Sequence, residues 1–366
     1  MNSIQPSISA RPHTRHTATN RVNESAVLRA AALAADSAPQ QRIVAIGGGT
    51  GLPAVLEGLC GSTRGGDSVS KELITAIVTV TDDGGSSGRL RDTFGVLPPG
   101  DVRNCLAAAA RIDSPYRALL QHRFGVEGGA LDGHPIGNLL LTALTQITGN
   151  FPDAIERLGD MIGLRASVLP STREDVRLVA ELESGRVLVG ETAIVSAPEP
   201  IRRIGLTPHA PPLPEVLRAL VNADGIVVGP GSLYSSILPN LLVGGVASTI
   251  SGVNAVRIYV ANLMTEPGET DHYTLDDHLR VIREHVGYDL FDYILVNTGR
   301  LEGPAITEYA SQGAEPVLVT HDLRWAGRAR VVECDLVGEC DAMKIRHSPQ
   351  RLAHTIRTLV SAGRVH

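Results

Sequence analysis

Two adjacent carboxylates, Asp82 and Asp83, stand near the start of the run "TVTDDGGSSGRLRDTFG". Paired carboxylates after a β-branched run can do three kinds of chemistry. They can accept hydrogen bonds from hydroxyls, hold a divalent cation through oxygen, or share a proton as acid and base. One of the two is expected to cap the following turn and the other to face a ligand. Arg89 and Arg91 follow on the same loop, either as phosphate clamps or as solvated charges. No metal site is read from spacing: four cysteines fall at positions 60, 105, 334 and 340, with no C-x-x-C pair, which fits reduced thiols.

A second kind of chemistry is written in glycine. "IVAIGGGTGLPAVLEGL" (43–59) is a buried strand, a loop and a helix, with Gly47, Gly48, Gly49 and Gly51 in five positions around Thr50. Such a loop lets backbone N–H groups approach an anion closely, and the helix that follows aims its positive end at the same point. A dinucleotide fingerprint fails here, because Leu52 stands where a G-x-G-x-x-G frame from Gly47 needs its last glycine. That speaks against an NAD(P)-dependent oxidoreductase. "IVVGPGSLYSSILPNLLV" (226–243) repeats the pattern with Gly229, Gly231 and Ser232 at the turn and Tyr234, Ser235 and Ser236 in the helix start. Two such turns and an acidic pair imply an extended anionic ligand.

Smaller signals lie between them. "PPGDVRNCL" (98–106) reads as a turn into a helix with Asp101 as N-cap, leaving Arg103 and Asn104 on the first turn. "GHPIGNLLLTAL" (133–144) carries His134, as a base or as a structural histidine, and Asn138, whose amide in an apolar helix start needs a partner.

The elements that must position these residues alternate. "RIVAI", "LITAIVTVT" (73–81), "ADGIVVGP", "VRIYVANL" (256–263) and "YILVNTG" (293–299) read as buried strands, and "DVRNCLAAAARI" and "IGNLLLTALTQI" as helices. Residues 174–204 switch to two-residue alternation around a glycine turn, which predicts a small antiparallel insertion. "PVLVTHDLRW" predicts one more strand and "SPQRLAHTIRTLVSAG" a closing helix. The expected fold is α/β: a Rossmann-like, doubly wound, mostly parallel sheet over residues 41–366. Such sheets bind ligands outside the carboxyl ends of their strands. Residues 1–40 are polar with no sustained apolar period and are expected to form a disordered leader.

Composition narrows the class of partner. The formal charge of −6 offers nothing global to nucleic acid or anionic membrane, and no apolar run reaches the length of a membrane span. A cytoplasmic location is the expectation.

Taken together, "AIGGGTGL", "TVTDDGGSSGRLR", "PPGDVRNCL", "GHPIGNLLL", "GPGSLYSSILPNLLV" and "NLMTEPGETDHY" resemble the YvcK-like gluconeogenesis factors, formerly the family UPF0052. That family is similar in fold to CofD, which transfers a phospholactyl group from a guanylylated carrier to a deazaflavin alcohol. The resemblance runs from about Arg42 to Leu301 and weakly beyond. It implies a cytoplasmic binder of UDP-sugars such as UDP-N-acetylglucosamine, with a role in cell shape and envelope synthesis during gluconeogenic growth. It also implies an envelope-synthesis protein as partner and a homodimer. Gly48, Gly49, Thr50 and Gly51 would lie at the diphosphate, with Gly231 and Ser232 near the same ligand. Asp82 would face sugar or ribose hydroxyls, or Mg²⁺ brought in with the nucleotide. The alternative is a CofD-like, Mg²⁺-dependent transferase using Asp82 or Asp83.

Overall fold

The structure, a computed structural model, describes residues 21–23, 40–61, 73–125, 128–320, 322–338 and 344–364. β1 (Arg21–Asn23) lies far from the next strand, β2 (Ile43–Gly47), which leads into α1 (Gly51–Gly61) and β3 (Ile74–Val78). Five helices follow: α2 (Gly85–Phe94), α3 (Gly100–Ala109), α4 (Pro115–Gln121), α5 (Ile136–Thr148) and α6 (Phe151–Ile162). After β4 (Ser167–Pro170) comes an insertion of β5 (Arg177–Leu182), β6 (Val187–Val189), α7 (Glu191–Val195) and β7 (Ile201–Thr207). α8 (Pro214–Val221) returns the chain to β8 (Gly225–Val228). A π-helical turn at Leu233–Ile237 then opens α9 (Leu238–Leu242), followed by α10 (Val246–Gly252) and β9 (Val256–Val260). α11 (Leu275–Val286), β10 (Tyr293–Asn297), α12 (Pro304–Ser311), β11 (Arg330–Cys334) and α13 (Pro349–Ala362) complete the fold.

The main sheet has the order β1-β11-β10-β9-β8-β2-β3-β4, and its pairs are parallel. From β2 the chain steps outward through β3 to β4. It then re-enters on the other side of β2 with β8 and steps outward the other way. The crevice between the carboxyl ends of β2 and β8 is therefore the switch point of the sheet. Strand alternation divides the core in two. Ile43 and Ala45 face Leu52, Val55, Leu56 and Leu59 of α1 and Leu352, Ile356 and Leu359 of α13. Val44 and Ile46 face Leu233, Ile237 and Leu238 beyond the second glycine turn. Each glycine turn thus hangs from a strand buried on both faces, and that rigidity lets a turn hold a fixed shape.

Three expectations change. The leader was expected to lack structure, yet Arg21–Asn23 pairs with Val331–Glu333; the rest of 1–39 lies outside the described residues. The segment covers the edge of β11 that β10 leaves free, where backbone groups need a partner. The antiparallel sheet, in the order β6-β5-β7, runs from Arg177 to Thr207 instead of 174–204, because Gly205–Thr207 still pairs with Arg177–Val179. Finally, 317–320 forms no strand. Val317 donates to Leu263 and Leu318 accepts from Leu275, two isolated bonds, while Arg330–Cys334 takes the place beside β10.

Candidate functional site

Gly47 ends β2, and the turn Gly48–Thr50 carries the chain into α1. Each wall of this turn is built from a distant residue. Asn240 donates to the Gly47 carbonyl at 2.9 Å and to the Ser236 carbonyl at 2.7 Å. Asp101 accepts the Gly49 amide on Oδ2 at 2.8 Å. Gly49 has φ 57°, and a Cβ on Gly48 would come within 2.8 Å of the Thr79 methyl. A Cβ on Gly51 would strike the Pro230 carbonyl, so the two glycine turns pack backbone to backbone. Among the described residues, none accepts the amide hydrogens of Gly48 and Thr50. These two unbonded donors, that of buried Gly48 and that of exposed Thr50 with its hydroxyl, sit at the start of a helix, which is an anion-binding geometry.

The second turn differs. Gly229 has φ 81° and donates to the Ile46 carbonyl at 3.0 Å, tying β8 to β2. Both backbone groups of Gly231 are taken by Asn262, whose Oδ1 accepts the amide and whose Nδ2 donates to the carbonyl, each at 3.0 Å. Beyond it, the Ser235 hydroxyl donates to Glu269 at 2.9 Å.

Asp82 and Asp83 part company at the end of β3. Asp83 Oδ1 accepts the amide (2.9 Å) and the hydroxyl (2.7 Å) of Thr192 in the insertion. Asp82 Oδ1 accepts only the Gly84 amide of its own turn, at 2.9 Å. Asp101 and Glu191 lie within electrostatic reach of Asp82, Glu269 lies within reach of Glu191, and burial acts on all three. It pushes Asp101 up to about 6 against the bond from Gly49, with the Asp82 charge adding to the rise. It pushes Glu191 up to about 9, with the charges of Asp82, Glu269, Asp101 and Asp83 adding to it. Glu269 rises to about 7 through burial and the neighbouring Glu266. Carboxylates this close cannot all hold their charge, so the cluster carries protons near neutrality.

Asp101 is therefore not the expected N-cap. α3 starts at Gly100 after Pro99, and the Asp101 side chain reaches across to the glycine turn. Arg91 clamps no ligand phosphate: buried in the fold, it donates to the Val176 carbonyl at 2.7 Å and pairs with Asp175. Arg89 donates to the Asp132 carbonyl at 2.6 Å. Arg103 is buried, which draws it down to about 10, and it donates to Asn104 at 2.7 Å. Ser86 joins His134 Nδ1 at 2.8 Å to the Asn138 amide at 3.0 Å, in a buried chain. Burial and Arg89 lower the His134 pKa, so the ring is neutral and suited to bonding Ser86. Asn138 Oδ1 has no partner among the described residues.

Along the row of strand ends, a cavity of about 300 Å³ lies beyond β9 and β10, lined by Ala261, Asn262, Val296, Asn297 and Thr298 among others. Asn262 makes it contiguous with the second glycine turn. A larger cavity of about 490 Å³ sits at the β4 edge between Asp153, Val168 and Leu213 and shares no residue with the glycine turns or the acids. The structure thus brings Gly47–Gly51, Asp82 and Gly229–Ser232 to one crevice, with Asp83 on its rim and Asn138 one bond behind Ser86. Sequence reasoning missed Glu191, Glu266, Glu269, Asn240 and Asn262. The two glutamates of "TEPGET" were visible as spaced acids; Glu191 sits in an insertion with no local mark of function.

Comparison with known proteins agrees with this architecture. The family described as 2-phospho-L-lactate transferase CofD matches residues 43–337. The chain is 41% identical over 319 residues to the gluconeogenesis factor of Halalkalibacterium halodurans, covering 87% of this chain and 96% of that protein. It is 44% identical over 277 residues to the gluconeogenesis factor of Bacillus subtilis, covering 75% and 84%. A crystal structure of a UPF0052 family member from Bacillus halodurans superposes with a TM-score of 0.80 at 43% identity, covering 86% of this chain and 99% of that one. Among the described residues, no single helix is long and apolar enough to cross a membrane. On the family match over residues 43–337 and these identities, the chain belongs to the CofD-like family of gluconeogenesis factors.

Proposed function

We propose that the protein is a cytoplasmic binder of a UDP-sugar such as UDP-N-acetylglucosamine and acts by binding, not by turnover. The observation that carries this reading is the unbonded pair of amides at Gly48 and Thr50, set in the switch-point crevice between a cavity and a cluster of carboxylates. Backbone donors suit a diphosphate, the largely apolar cavity beyond β9 and β10 suits the faces of a base, and carboxylates suit sugar hydroxyls. Resemblance to the gluconeogenesis factors supports a role in cell shape and envelope synthesis during gluconeogenic growth. There the protein would serve as a homodimer beside an envelope-synthesis protein.

The second reading, a CofD-like transferase, is favoured by the acids. A diphosphate next to Asp82, Asp101 and Glu269 is repelled unless protons or Mg²⁺ neutralise the site. Among the described residues, no three acidic, histidine or cysteine side chains converge as a metal cage. Mg²⁺ commonly needs only one or two carboxylates and completes its shell with phosphate oxygens and water, so Asp82 fits that role. Bound there, the ion would supply charge neutralisation to the phosphates.

Melting curves with UDP-N-acetylglucosamine, NAD⁺ and GDP, each with and without EDTA, test both readings. A ligand at about 100 times its Kd stabilises by about 2.7 kcal/mol, a shift of a few degrees. The binding reading expects that shift with the UDP-sugar alone and no change in EDTA. A shift with NAD⁺ or GDP and none with any UDP-sugar would sink it. Loss of the shift in EDTA, reproduced by Asp82→Asn, would favour the transferase.

A further inference from the structure

The antiparallel insertion is fastened to the candidate site at one place, and the fastening is unusually complete. Thr192 gives both its amide and its hydroxyl to Asp83 Oδ1. Gly190, at φ 98°, lies against the other oxygen of the same carboxylate, where any Cβ would collide. Gly190 is itself held at both ends, its amide by the Leu178 carbonyl at 2.8 Å and its carbonyl by the Ile194 amide at 3.1 Å. Between these two anchored residues stands Glu191. Its Cα is fixed from both sides, while its carboxyl group finds no hydrogen-bond or ion-pair partner among the described residues.

Glu191 lies within electrostatic reach of Asp82, Asp101 and Glu269. Glu269 offers a second, independent sign of a missing partner. It is 9% exposed, its Oε1 takes the Ser235 hydroxyl, and its Oε2 is buried with no hydrogen-bond partner among the described residues. Buried polar atoms are rarely left this way unless a ligand or water completes them. Asp82, Asp83 and Glu191 lie past the end of β3, Glu269 lies beside Ser235 past the second glycine turn, and the cavity lies past β9 and β10.

We propose that Glu191 reads the sugar of the ligand by hydrogen-bonding a hydroxyl at the end of β3, with the base in the cavity beyond β9 and β10 and the diphosphate across the glycine turns. The inference rests on the UDP-sugar reading and goes beyond it, because it makes the insertion a wall of the site and fixes the ligand's direction. A sugar hydroxyl both donates and accepts, which matches a carboxyl group held protonated by burial and by its acidic neighbours. A bare cation would instead require that group to ionise.

Calorimetric titration of UDP-N-acetylglucosamine and of UDP into wild type, Glu191→Ala and Glu191→Gln tests the assignment. Loss of one hydrogen bond of this kind corresponds to about fivefold to tenfold in affinity. Glu191→Ala should weaken the UDP-sugar by that factor and UDP by less than about twofold. Glu191→Gln, which keeps a donor and an acceptor, should stay near wild type for both. Retained UDP binding also reports that each variant is folded. If wild type binds both nucleotides and Glu191→Ala weakens them equally or not at all, the inference falls while the nucleotide-sugar reading stands. If wild type binds neither, the reading falls and takes the inference with it.

Discussion

The glycine turn at the end of β2 is held by a carboxylate together with the Asn240 amide, whereas the Gly231 peptide at the end of β8 is held by an amide alone. Asp101 accepts one hydrogen from Gly49 and leaves the amides of Gly48 and Thr50 unbonded among the described residues. Asn262 satisfies both the donor and the acceptor of Gly231 and leaves that peptide nothing to offer. Two stretches that look alike in sequence therefore have different work: the first presents donors and the second braces it. The choice of anchor matters as well. A neutral amide holds its turn equally at any pH, whereas a buried carboxylate ties its turn to protonation.

The largest expected effect tests whether the turns bear on each other at all. Gly51→Ala drives a methyl group into the Pro230 carbonyl, and backbone must move on both sides. A loss of about 3 kcal/mol is expected in urea unfolding. A change under about 1 kcal/mol would mean the turns are independent and the comparison is misplaced.

Asn262→Ala should cost less, about 2 kcal/mol, by stranding the Gly231 amide and carbonyl. Its effect should be the same at pH 5 and pH 7, because no charge is removed. A strongly pH-dependent loss would show that the second turn is not held by a neutral anchor alone.

Asp101→Asn gives the first turn the same kind of anchor as the second and should have the smallest effect. The folded pKa of Asp101, about 6, lies above its ordinary 3.8. Between those values the unfolded chain binds fewer protons, so this group's contribution to stability falls as pH rises from about 4 to 6 and is level above that. Asp101→Asn removes the slope and keeps an acceptor for Gly49. With partial exposure taken into account, the variant should gain about 1 kcal/mol over wild type at pH 7 relative to pH 4. Parallel stability curves for the two proteins across that range would refute the assignment.

What the sequence determined by itself is local. Strand and helix identity follow from periodicities of two and about 3.6, which hydrophobic burial imposes on neighbouring residues, so β2, β3, β8, β9 and β10 were legible, as were α1, α3, α5 and α13. Gly85–Phe94, read as a loop, is a helix. Glycine turns are likewise local, since positive φ at Gly49 or Gly229 is a property of one residue. The family was legible because its motifs combine both. The strand misread at 317–320 shows the limit, because an apolar run becomes a strand only if a sheet edge is there to pair with it. The allocation of polar groups was decided by tertiary structure alone. Asp83 is taken by Thr192, 109 residues away, and Asp101 by Gly49, 52 residues away. Arg91 is spent on Asp175 and Val176, and Glu191 arrives among the acids only because the insertion folds back onto β3. A carboxylate or guanidinium bonds whatever the topology brings within about 3 Å, and its own neighbours in the chain carry no record of that partner.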